Sequence, residues 1–331
     1  MKITVYSNPE NVKNSTIQNA TVVWVDVLRF SSLVSLYFYH GVQAVYTSAE
    51  VLEAPKKVSH LKSSEILLSG SKNAQKYPGF HMAFSLLESR REKVKKKYIS
   101  LVAPEAAGLK WVQNAKHVLL GSFLNLSAVY EQCLKNRRDV VIVEAGYHNS
   151  VSLPDHAFAG MMVDFFTSTV GGGIDLEFAE TAVKARGAYR PWQGRLLELL
   201  KQSPEGKELI QAGLEKEIDF CCKVNKVYEV PFLKDSKDPV FICADYSKNK
   251  KMEESGQKYK ATTLSAKKGK AVKVKVPLFP KNPEHPIGAI VQNSIKSSPA
   301  PVALTTTKPK PLPPKNDKRR KAVLFPKKHK R

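Results

Sequence analysis

Short apolar runs that alternate with helix-like segments constrain the fold of this chain more than any other feature. Several runs are too continuously apolar for a strand with one exposed face, which indicates a sheet covered on both sides. The predicted strands cover residues 22–27, 44–47, 65–69, 98–103, 117–120 and 140–145. The predicted helices between them cover residues 31–39, 105–114, 126–135 and 155–168. This order predicts an α/β fold with a largely parallel or mixed sheet and flanking helices.

The pattern continues less regularly and ends after Asp245. The sequence GGG at 171–173 indicates a turn or hinge, so a division into two lobes near 170–175 stays open. Ser203 and Pro204 are typical of the N-cap and first position of a helix, and residues 228–233 and 240–244 are predicted to be closing strands. We therefore predict an α/β domain over residues 1–246 and a separate tail over 247–331.

The formal net charge of +23 is concentrated in that tail. Residues 1–246 hold 30 Lys and Arg against 26 Asp and Glu, a balance of +4, whereas residues 247–331 hold 23 against 4, a balance of +19. The tail has few large apolar residues, so we expect it to be disordered, because it cannot bury enough apolar area to offset its ordering entropy. The alternative is an arm that binds nucleic acid or other polyanions.

Cysteine usage and the amino terminus indicate a reducing compartment. Cys221 and Cys222 are adjacent and cannot easily bridge each other, and Cys133 and Cys243 complete no CxxC or zinc-type spacing. The first ten residues lack the apolar stretch of a signal peptide, and no window approaches the roughly 18 apolar residues of a spanning helix. We expect a cytoplasmic protein that does not enter a membrane, and a homo-oligomer is compatible with the sequence.

The stretch VVWVDVLRFSS, residues 22–32, is the strongest candidate for a functional site. Asp26 ends a buried run, and in open α/β sheets ligands bind beyond the carboxyl ends of strands. Arg29 follows in the strand-to-helix turn, where a guanidinium can hold a phosphate in a bidentate manner. Ser31 and Ser32 begin the next helix, whose N–H groups favour an anion. The alternative is a structural Asp–Arg ion pair with Ser31 as an N-cap.

Taken together, these segments resemble the 2-phosphosulfolactate phosphatase family over about the first 246 residues. DVLR at 26–29 stands where the family has that motif, and Gly41 falls where a glycine-led strand is expected. GSFLNLSA at 121–128, the AG pairs at 145–146 and 159–160, SPEGKELIQAGLEKEIDF at 203–220 and VPFL at 230–233 follow in the family's order. The order and spacing of these motifs carry the resemblance, since no single one is diagnostic.

The resemblance implies a hydrolase that removes phosphate from a small sulfonated hydroxy acid and requires Mg²⁺. A substrate with several negative charges needs cationic groups, and Mg²⁺ prefers hard oxygen ligands. We expect Asp26 and Asp155 to bind Mg²⁺ and to be catalytic with Arg29. The expected substrate-binding residues are Arg29, Ser31, Ser32 and Asn125. Asp155 and Asn125 also stand at predicted helix starts, so helix capping is the alternative role for both.

Several positions depart from the family pattern as we read it. Ser71 stands where a glutamate is usual, His81 replaces an aspartate, Phe84 an asparagine, Leu86 a proline and Pro154 a glutamate. VAPEAAG at 102–108 replaces TTNGT, which makes Glu105 a candidate substitute acid. His81 and His156 are candidate replacement ligands that would favour a transition metal. These departures keep a second hypothesis open, that of a catalytically silent member that binds an anion or a partner protein.

Overall fold

The computed structural model describes residues 1–168, 175–235 and 238–243. Its strands are β1 Lys2–Tyr6, β2 Thr21–Val25, β3 Ala44–Ser48, β4 Ile66–Ser69, β5 Ser71–Lys72, β6 Gln75–Lys76, β7 Tyr98–Val102, β8 His117–Gly121, β9 Val140–Glu144, β10 Glu177–Phe178, β11 Pro231–Asp235 and β12 Val240–Cys243. All six strands predicted in the first part of the chain are present, within two residues at each end. The predicted closing strands are also present, as β11 and β12, although β11 begins three residues later than expected.

The α-helices are α1 Asn14–Ile17, α2 Phe30–Tyr39, α3 Glu53–Lys57, α4 Arg91–Val94, α5 Leu126–Asn136, α6 Leu153–Ser168, α7 Glu180–Tyr189, α8 Leu196–Gln202, α9 Pro204–Gln211 and α10 Glu215–Cys221. Short 3₁₀ segments cover Pro9–Asn11, Ser63–Glu65, Pro104–Val112, Phe123–Asn125 and Arg190–Trp192. The helix predicted over 105–114 is therefore a 3₁₀ segment. It packs closely on β2, since a Cβ at Gly108 would lie 2.7 Å from the Trp24 ring.

Ten strands form one sheet in the order β10-β1-β9-β2-β8-β11-β12-β3-β7-β4. The first five strands are mutually parallel, and the last three form a second parallel block. The hairpin β11–β12 joins the blocks through antiparallel pairings with β8 and β3. Three antiparallel pairings in succession make the two blocks run in opposite directions. The prediction of an α/β fold with a largely parallel or mixed sheet is confirmed.

The core lies along the central strands of the first block. Every residue of β2 and of β9 is buried, as the continuous apolar runs predicted for strands covered on both faces. On the sheet, α2 buries nearly its whole length, including Phe30, and α6 buries more than half of its residues, including Phe158. The carboxyl ends of β1, β9, β2 and β8 consequently meet at one edge of the sheet, where a ligand site is expected.

Three predictions from the sequence concern residues outside the described part of the chain. They are the turn at GGG 171–173, the lobe boundary near 170–175 and the disordered basic tail over 247–331. The described residues on both sides of 169–174 join the same sheet, since β10 pairs with β1. In the part of the chain that the structure describes, no helix combines the length and apolar character needed to cross a membrane.

Candidate active site

Three polar side chains mark the carboxyl edge of the first parallel block. Ser7 follows β1, Glu144 ends β9 and Asp26 follows β2 by one residue. The strands are neighbours in the order β1-β9-β2, with Val25 of β2 in register with Glu144 of β9. The sheet therefore places these three side chains in a row.

Asp155 joins this row from the first turn of α6. Its Oδ1 accepts a hydrogen bond from the backbone N–H of Val27 at 2.7 Å, and the residue is 3% exposed. Asp26 is also buried, and its Oδ1 accepts from the N–H of Phe30 at 3.3 Å. The two carboxylates predicted as metal ligands thus lie on the two sides of one turn, 26–30, although 129 positions separate them in the sequence.

Both aspartates lie where a negative charge is unfavourable. Burial and then the charge of Glu105 raise the pKa of Asp26 well above its usual value, and Glu205 adds to this. Burial and then the charge of Asp26 raise the pKa of Asp155, with further contributions from Glu144 and Glu205. The site is a cluster of five carboxylates that repel one another, so its charged form needs a cation.

Arg29 supplies the guanidinium group of the site, and the Nη1 atom of that group already has hydrogen-bond partners. Its Nη1 donates to Oε2 of Glu217 and to the carbonyl of Phe84, both at 2.8 Å, and its Cζ lies 5.0 Å from the Phe84 ring centre. The side chain is 12% exposed. Nε and Nη2 donate to no side chain or carbonyl of the described residues, which leaves a planar fork available for an anion.

Glu217, from α10, organises the loop beside Arg29. One carboxylate oxygen accepts from the hydroxyl of Ser85, and the other accepts from the N–H of Leu86 at 3.3 Å as well as from Arg29. Phe84 and Leu86 belong to this loop, and Ser71 of β5 contacts it, since Ser71 Oγ accepts from the N–H of Phe84 at 2.8 Å. Sequence reasoning did not single out Glu217, because its partners lie more than 130 positions away.

The predicted serine ligands form the turn itself. Ser31 Oγ accepts from the N–H of Asp26 at 3.0 Å, and the Ser31 N–H donates to the Asp26 carbonyl at 2.9 Å. Ser32 Oγ donates to the Val27 carbonyl at 2.8 Å. Both residues are buried. Their substrate-binding role stays a prediction, and their observed contacts hold the backbone between Asp26 and α2.

Asn125 lies away from this turn and is saturated with internal hydrogen bonds. Its Oδ1 accepts from the N–H and the hydroxyl of Ser122 at 2.9 and 3.1 Å. Its Nδ2 lies 3.1 to 3.2 Å from acceptors on Ser35, Leu120 and Glu229. The amide therefore links β8 and α2 to the segment before β11. The alternative that Asn125 caps the helix that follows is wrong, because its side chain makes no capping bond to α5 and instead closes a capping box with Ser122 at the preceding 3₁₀ segment. Substrate binding stays a prediction without a free polar atom to support it.

Two acidic residues, Glu144 and Glu205, were not predicted as site residues. Oε1 of Glu144 lies 2.8 Å from Nδ1 of His156, while its Oε2 is buried with no partner among the described residues. Glu205 is buried too, and neither of its carboxylate oxygens has such a partner. Glu144 carried the same signal as Asp26, a carboxylate at the end of a buried run. Glu205 carried none, because an acidic residue in a first helical turn is commonplace.

The other candidate ligands have different positions. The side chain of Glu105 is exposed to solvent, although many protein atoms lie around it. This combination is expected for a residue on the wall of a cleft beside Asp26. His156 is paired with Glu144, which raises the pKa of the imidazole, and Ser7 Oγ lies 3.5 Å from the same nitrogen. Nδ1 of His81 accepts from the N–H of Leu68 at 2.9 Å, so that histidine helps to close the edge of β4.

The chemistry of the donor set fits a hard cation such as Mg²⁺. The described residues contain no three His, Cys, Asp or Glu side chains grouped closely enough to coordinate one ion together. Mg²⁺ is, however, usually held by one or two carboxylates and several water molecules. The pair Asp26 and Asp155, with the unpartnered oxygens of Glu144 and Glu205 nearby, provides that kind of environment.

A cavity of 310 Å³ opens at the same edge of the sheet. Its walls include Ser7 after β1, Ala145 and Gly146 after β9, and Gly108 and Lys110 of the 3₁₀ segment that begins beside Glu105. Its charged lining residues have opposite signs, since Lys110 supplies a cation and Glu10 a carboxylate. The cavity is large enough for a molecule of a few carbon atoms with two acidic groups.

Fold and site together define an α/β protein with an acidic, anion-compatible site at the carboxyl edge of a parallel block of strands. The family model described as 2-phosphosulpholactate phosphatase matches residues 6–236. The chain therefore belongs to the 2-phosphosulfolactate phosphatase family, as the resemblance of its motifs predicted.

Curated relatives agree with this assignment. A probable 2-phosphosulfolactate phosphatase from Caldanaerobacter subterraneus subsp. tengcongensis is 31% identical over 71% of this chain and 96% of its own length. Similar proteins of the same name from Clostridium tetani and Thermotoga maritima are 27% and 31% identical, each over 70% of this chain and 97% and 96% of their own lengths. The matched part corresponds to the domain predicted before residue 247, and these relatives are covered almost completely.

Proposed function

We propose that this chain is a Mg²⁺-dependent phosphomonoester hydrolase that acts on a small anionic, sulfonated hydroxy-acid phosphate. Membership of the family and the names of the relatives support phosphatase activity. The observation that carries the proposal is the meeting of Asp26 and Asp155 on the two sides of one turn beside Arg29. Two buried carboxylates and a guanidinium with a free edge suit a metal-assisted reaction of a phosphate ester.

Each group has a role that follows from its contacts. Asp26 and Asp155 would hold Mg²⁺, which when bound would neutralise negative charge on the phosphoryl oxygens. Arg29, anchored through Nη1, would bind the phosphoryl group through Nε and Nη2. Glu105, which is exposed to solvent, would orient the attacking water and accept its proton. Hydrolysis would break the bond between phosphorus and the ester oxygen and leave the hydroxy acid and inorganic phosphate.

The 310 Å³ cavity is the space that we assign to the carbon skeleton of the substrate. Ala145, which follows Glu144, lines this cavity, whereas Asp26, Arg29 and Asp155 do not, so the proposal requires a substrate that reaches from Arg29 past the end of β9. Lys110 and the hydroxyl of Ser7 would bind the acidic groups that the substrate carries besides its phosphate. This arrangement favours a phosphate ester with further negative charge over a neutral one.

The test is phosphate release by the purified full-length protein from 2-phosphosulfolactate in the presence of Mg²⁺. Phosphoglycolate, which lacks the sulfonate, serves as the comparison substrate. We expect hydrolysis of 2-phosphosulfolactate to depend on Mg²⁺, to stop with chelator and to be faster than hydrolysis of phosphoglycolate. Equal rates for both substrates would contradict the assignment of the cavity to the sulfonated end.

The second candidate function is a silent family member that binds an anion or a partner protein without hydrolysis. The observation that favours it is the loop at Phe84 and Ser85, which departs from the family pattern and occupies one edge of Arg29. A silent member would bind 2-phosphosulfolactate, measurable by calorimetry, without releasing phosphate. Release of phosphate that disappears in Asp26→Asn would exclude this candidate.

A further inference from the structure

Glu217 is a buried carboxylate on which three hydrogen-bond donors converge. Its Oε2 accepts from Nη1 of Arg29 at 2.8 Å and from the N–H of Leu86 at 3.3 Å, and its Oε1 accepts from the hydroxyl of Ser85. The Glu217 side chain is 0% exposed. Turning this carboxylate would leave buried donors unpaired, which is costly. The surrounding residues therefore fix its position.

The segment that leads to Ser85 is itself held by side chains of the sheet. The hydroxyl of Ser69 donates to the carbonyl of Ala83 at 2.9 Å, and Oγ of Ser71 accepts from the N–H of Phe84 at 2.8 Å. These bonds attach the segment to the end of β4 and to β5. The wall beside the guanidinium of Arg29 is thus built from the contacts of the protein itself.

These contacts use one nitrogen of the Arg29 guanidinium. Nη1 donates to Glu217 and to the carbonyl of Phe84, both at 2.8 Å, and Cζ lies over the Phe84 ring at 5.0 Å from its centre. Nε and Nη2 donate to no side chain or carbonyl among the described residues. An arginine that is already ordered loses less side-chain entropy when it binds an anion than a mobile one does. The network therefore favours anion binding by Arg29.

We infer that Glu217 is a positioning residue for the phosphoryl group: it holds Nη1 of Arg29 so that Nε and Nη2 stay available as a fork for two phosphoryl oxygens. This inference rests on the proposed function, since that function places the phosphoryl group at Arg29. The effect depends on the reach of the Glu217 side chain rather than on its charge. The charge alone opposes anion binding, because a carboxylate 2.8 Å from the guanidinium offsets its positive charge.

Two substitutions separate reach from charge. Glu217→Asp keeps the charge but draws the carboxylate back by one methylene, so that it cannot meet both Arg29 and the loop at 85–86. Glu217→Gln keeps the reach and an oxygen for Nη1 but removes the charge, and its amide can donate to the hydroxyl of Ser85. The two variants should therefore change anion affinity in opposite directions.

The probe is inorganic phosphate, titrated by calorimetry into the full-length protein in saturating Mg²⁺ at equal folded concentration. We expect Glu217→Asp to bind phosphate about tenfold more weakly than the wild type. Glu217→Gln should bind it more tightly than the wild type. Glu198→Asp is the matched control, because it shortens the carboxylate of an exposed pair with Arg195 and should bind phosphate as the wild type does.

Other patterns would overturn the role. Equal weakening in Glu217→Asp and Glu217→Gln would mean that binding depends on charge or on general stability, and unchanged binding in Glu217→Asp would mean that Arg29 needs no anchor. Arg29→Lys supplies a readout that general destabilisation does not move, because lysine has no fork to orient. Adding Glu217→Asp to Arg29→Lys should weaken phosphate binding no further, and a second tenfold loss would overturn the inference.

Failure of this inference is distinguishable from failure of the proposed function. Hydrolysis of 2-phosphosulfolactate, together with unchanged phosphate binding in Glu217→Asp, overturns the positioning role and leaves the function. The expected binding pattern without hydrolysis overturns the function and leaves an anion receptor positioned by Glu217. A wild type that binds no phosphate overturns the inference, and hydrolysis then decides the function separately.

A second variant covers the case in which Glu217→Asp does not fold. Ser85→Ala removes the donor to Oε1 of Glu217 and frees the carboxylate to turn. Weaker phosphate binding than in the wild type is then the expected result, and an unchanged affinity would overturn the inference.

Discussion

Nη1 of Arg29 lies 2.8 Å from Oε2 of Glu217, and this ion pair joins the first motif of the chain to a helix 188 positions further on. The pair is almost completely buried, with the two side chains 12% and 0% exposed. It fixes the plane of the guanidinium so that Nε and Nη2 face away from Glu217. The 84–86 loop and the guanidinium of Arg29 are therefore linked through one carboxylate.

The first prediction concerns the stability that this pair confers. Glu217→Gln leaves a buried guanidinium without its counter-charge, so the free energy of unfolding should fall by about 3 kcal/mol. Urea denaturation of the full-length protein measures this change. Glu198→Gln, which removes the partner of exposed Arg195, should have little effect. Equal, small losses for the two variants would show that the buried pair is not a structural anchor.

The second prediction concerns the pH dependence of stability. Burial and the charge of Asp26 raise the pKa of Asp155 well above 3.8, so the folded protein binds the proton more tightly than the unfolded chain. The stability contributed by this proton is present at low pH and is lost as the pH rises through the raised pKa. In chelator, Asp155→Asn should therefore gain stability relative to the wild type as the pH rises above about 4.

Thermal unfolding between pH 4 and 8 measures this difference. Glu92→Gln is the control, because it removes an exposed carboxylate and should show no such trend. A difference between Asp155→Asn and the wild type that stays constant with pH would mean that Asp155 titrates as an ordinary, solvated aspartate.

The third prediction assigns Asn125 to the fold. Asn125→Ala removes an amide that bonds Ser122, Ser35 and two carbonyls, and it leaves buried groups unsatisfied. The free energy of unfolding should fall by about 2 to 3 kcal/mol, while the KM of the remaining folded enzyme should stay within about twofold of the wild type. A large rise in KM without loss of stability would restore the substrate-binding role expected from the sequence.

The fourth prediction uses two glycines with opposite surroundings. Gly206→Ala brings a Cβ to 1.8 Å from the carbonyl oxygen of Leu200, so it should destabilise the protein. Gly187→Ala, inside α7, meets nothing within 4 Å and should stabilise the protein by up to about 1 kcal/mol. Thermal unfolding compares the two. An unfolding temperature of Gly206→Ala equal to that of the wild type would contradict the close packing of α9 on α8.

The sequence predicted β2 and β9 because they are buried on both faces and apolar throughout, whereas β1, with alternating burial, and the short β10 were not predicted. The position of Asp26 followed from the same pattern, and the end of β9 would have yielded Glu144 in the same way. The opposite direction of the two parallel blocks could not be predicted, since it depends on the hairpin β11–β12 pairing with β8 and β3 from the far end of the domain.

The acidic residues that the sequence did not predict as site residues were missed for one physical reason. Glu205 and Glu217 are acidic residues in the first turns of short helices, a position where charge is usually solvated. The burial of Glu217 results from contacts with residues more than 130 positions earlier, which periodicity within a segment does not reveal. The division into a domain and a tail at residue 247, the oligomeric state and nucleic-acid binding by the tail stay predictions.

The most direct measurement is phosphate release from 2-phosphosulfolactate by the full-length protein in Mg²⁺, with Asp26→Asn and Asp155→Asn compared at equal folded concentration. The account predicts turnover by the wild type that chelator abolishes, and kcat/KM at least about 100-fold lower in each variant. Turnover that survives in both variants, or its absence in wild-type protein that binds Mg²⁺, would contradict the assignment of catalysis to this carboxylate pair.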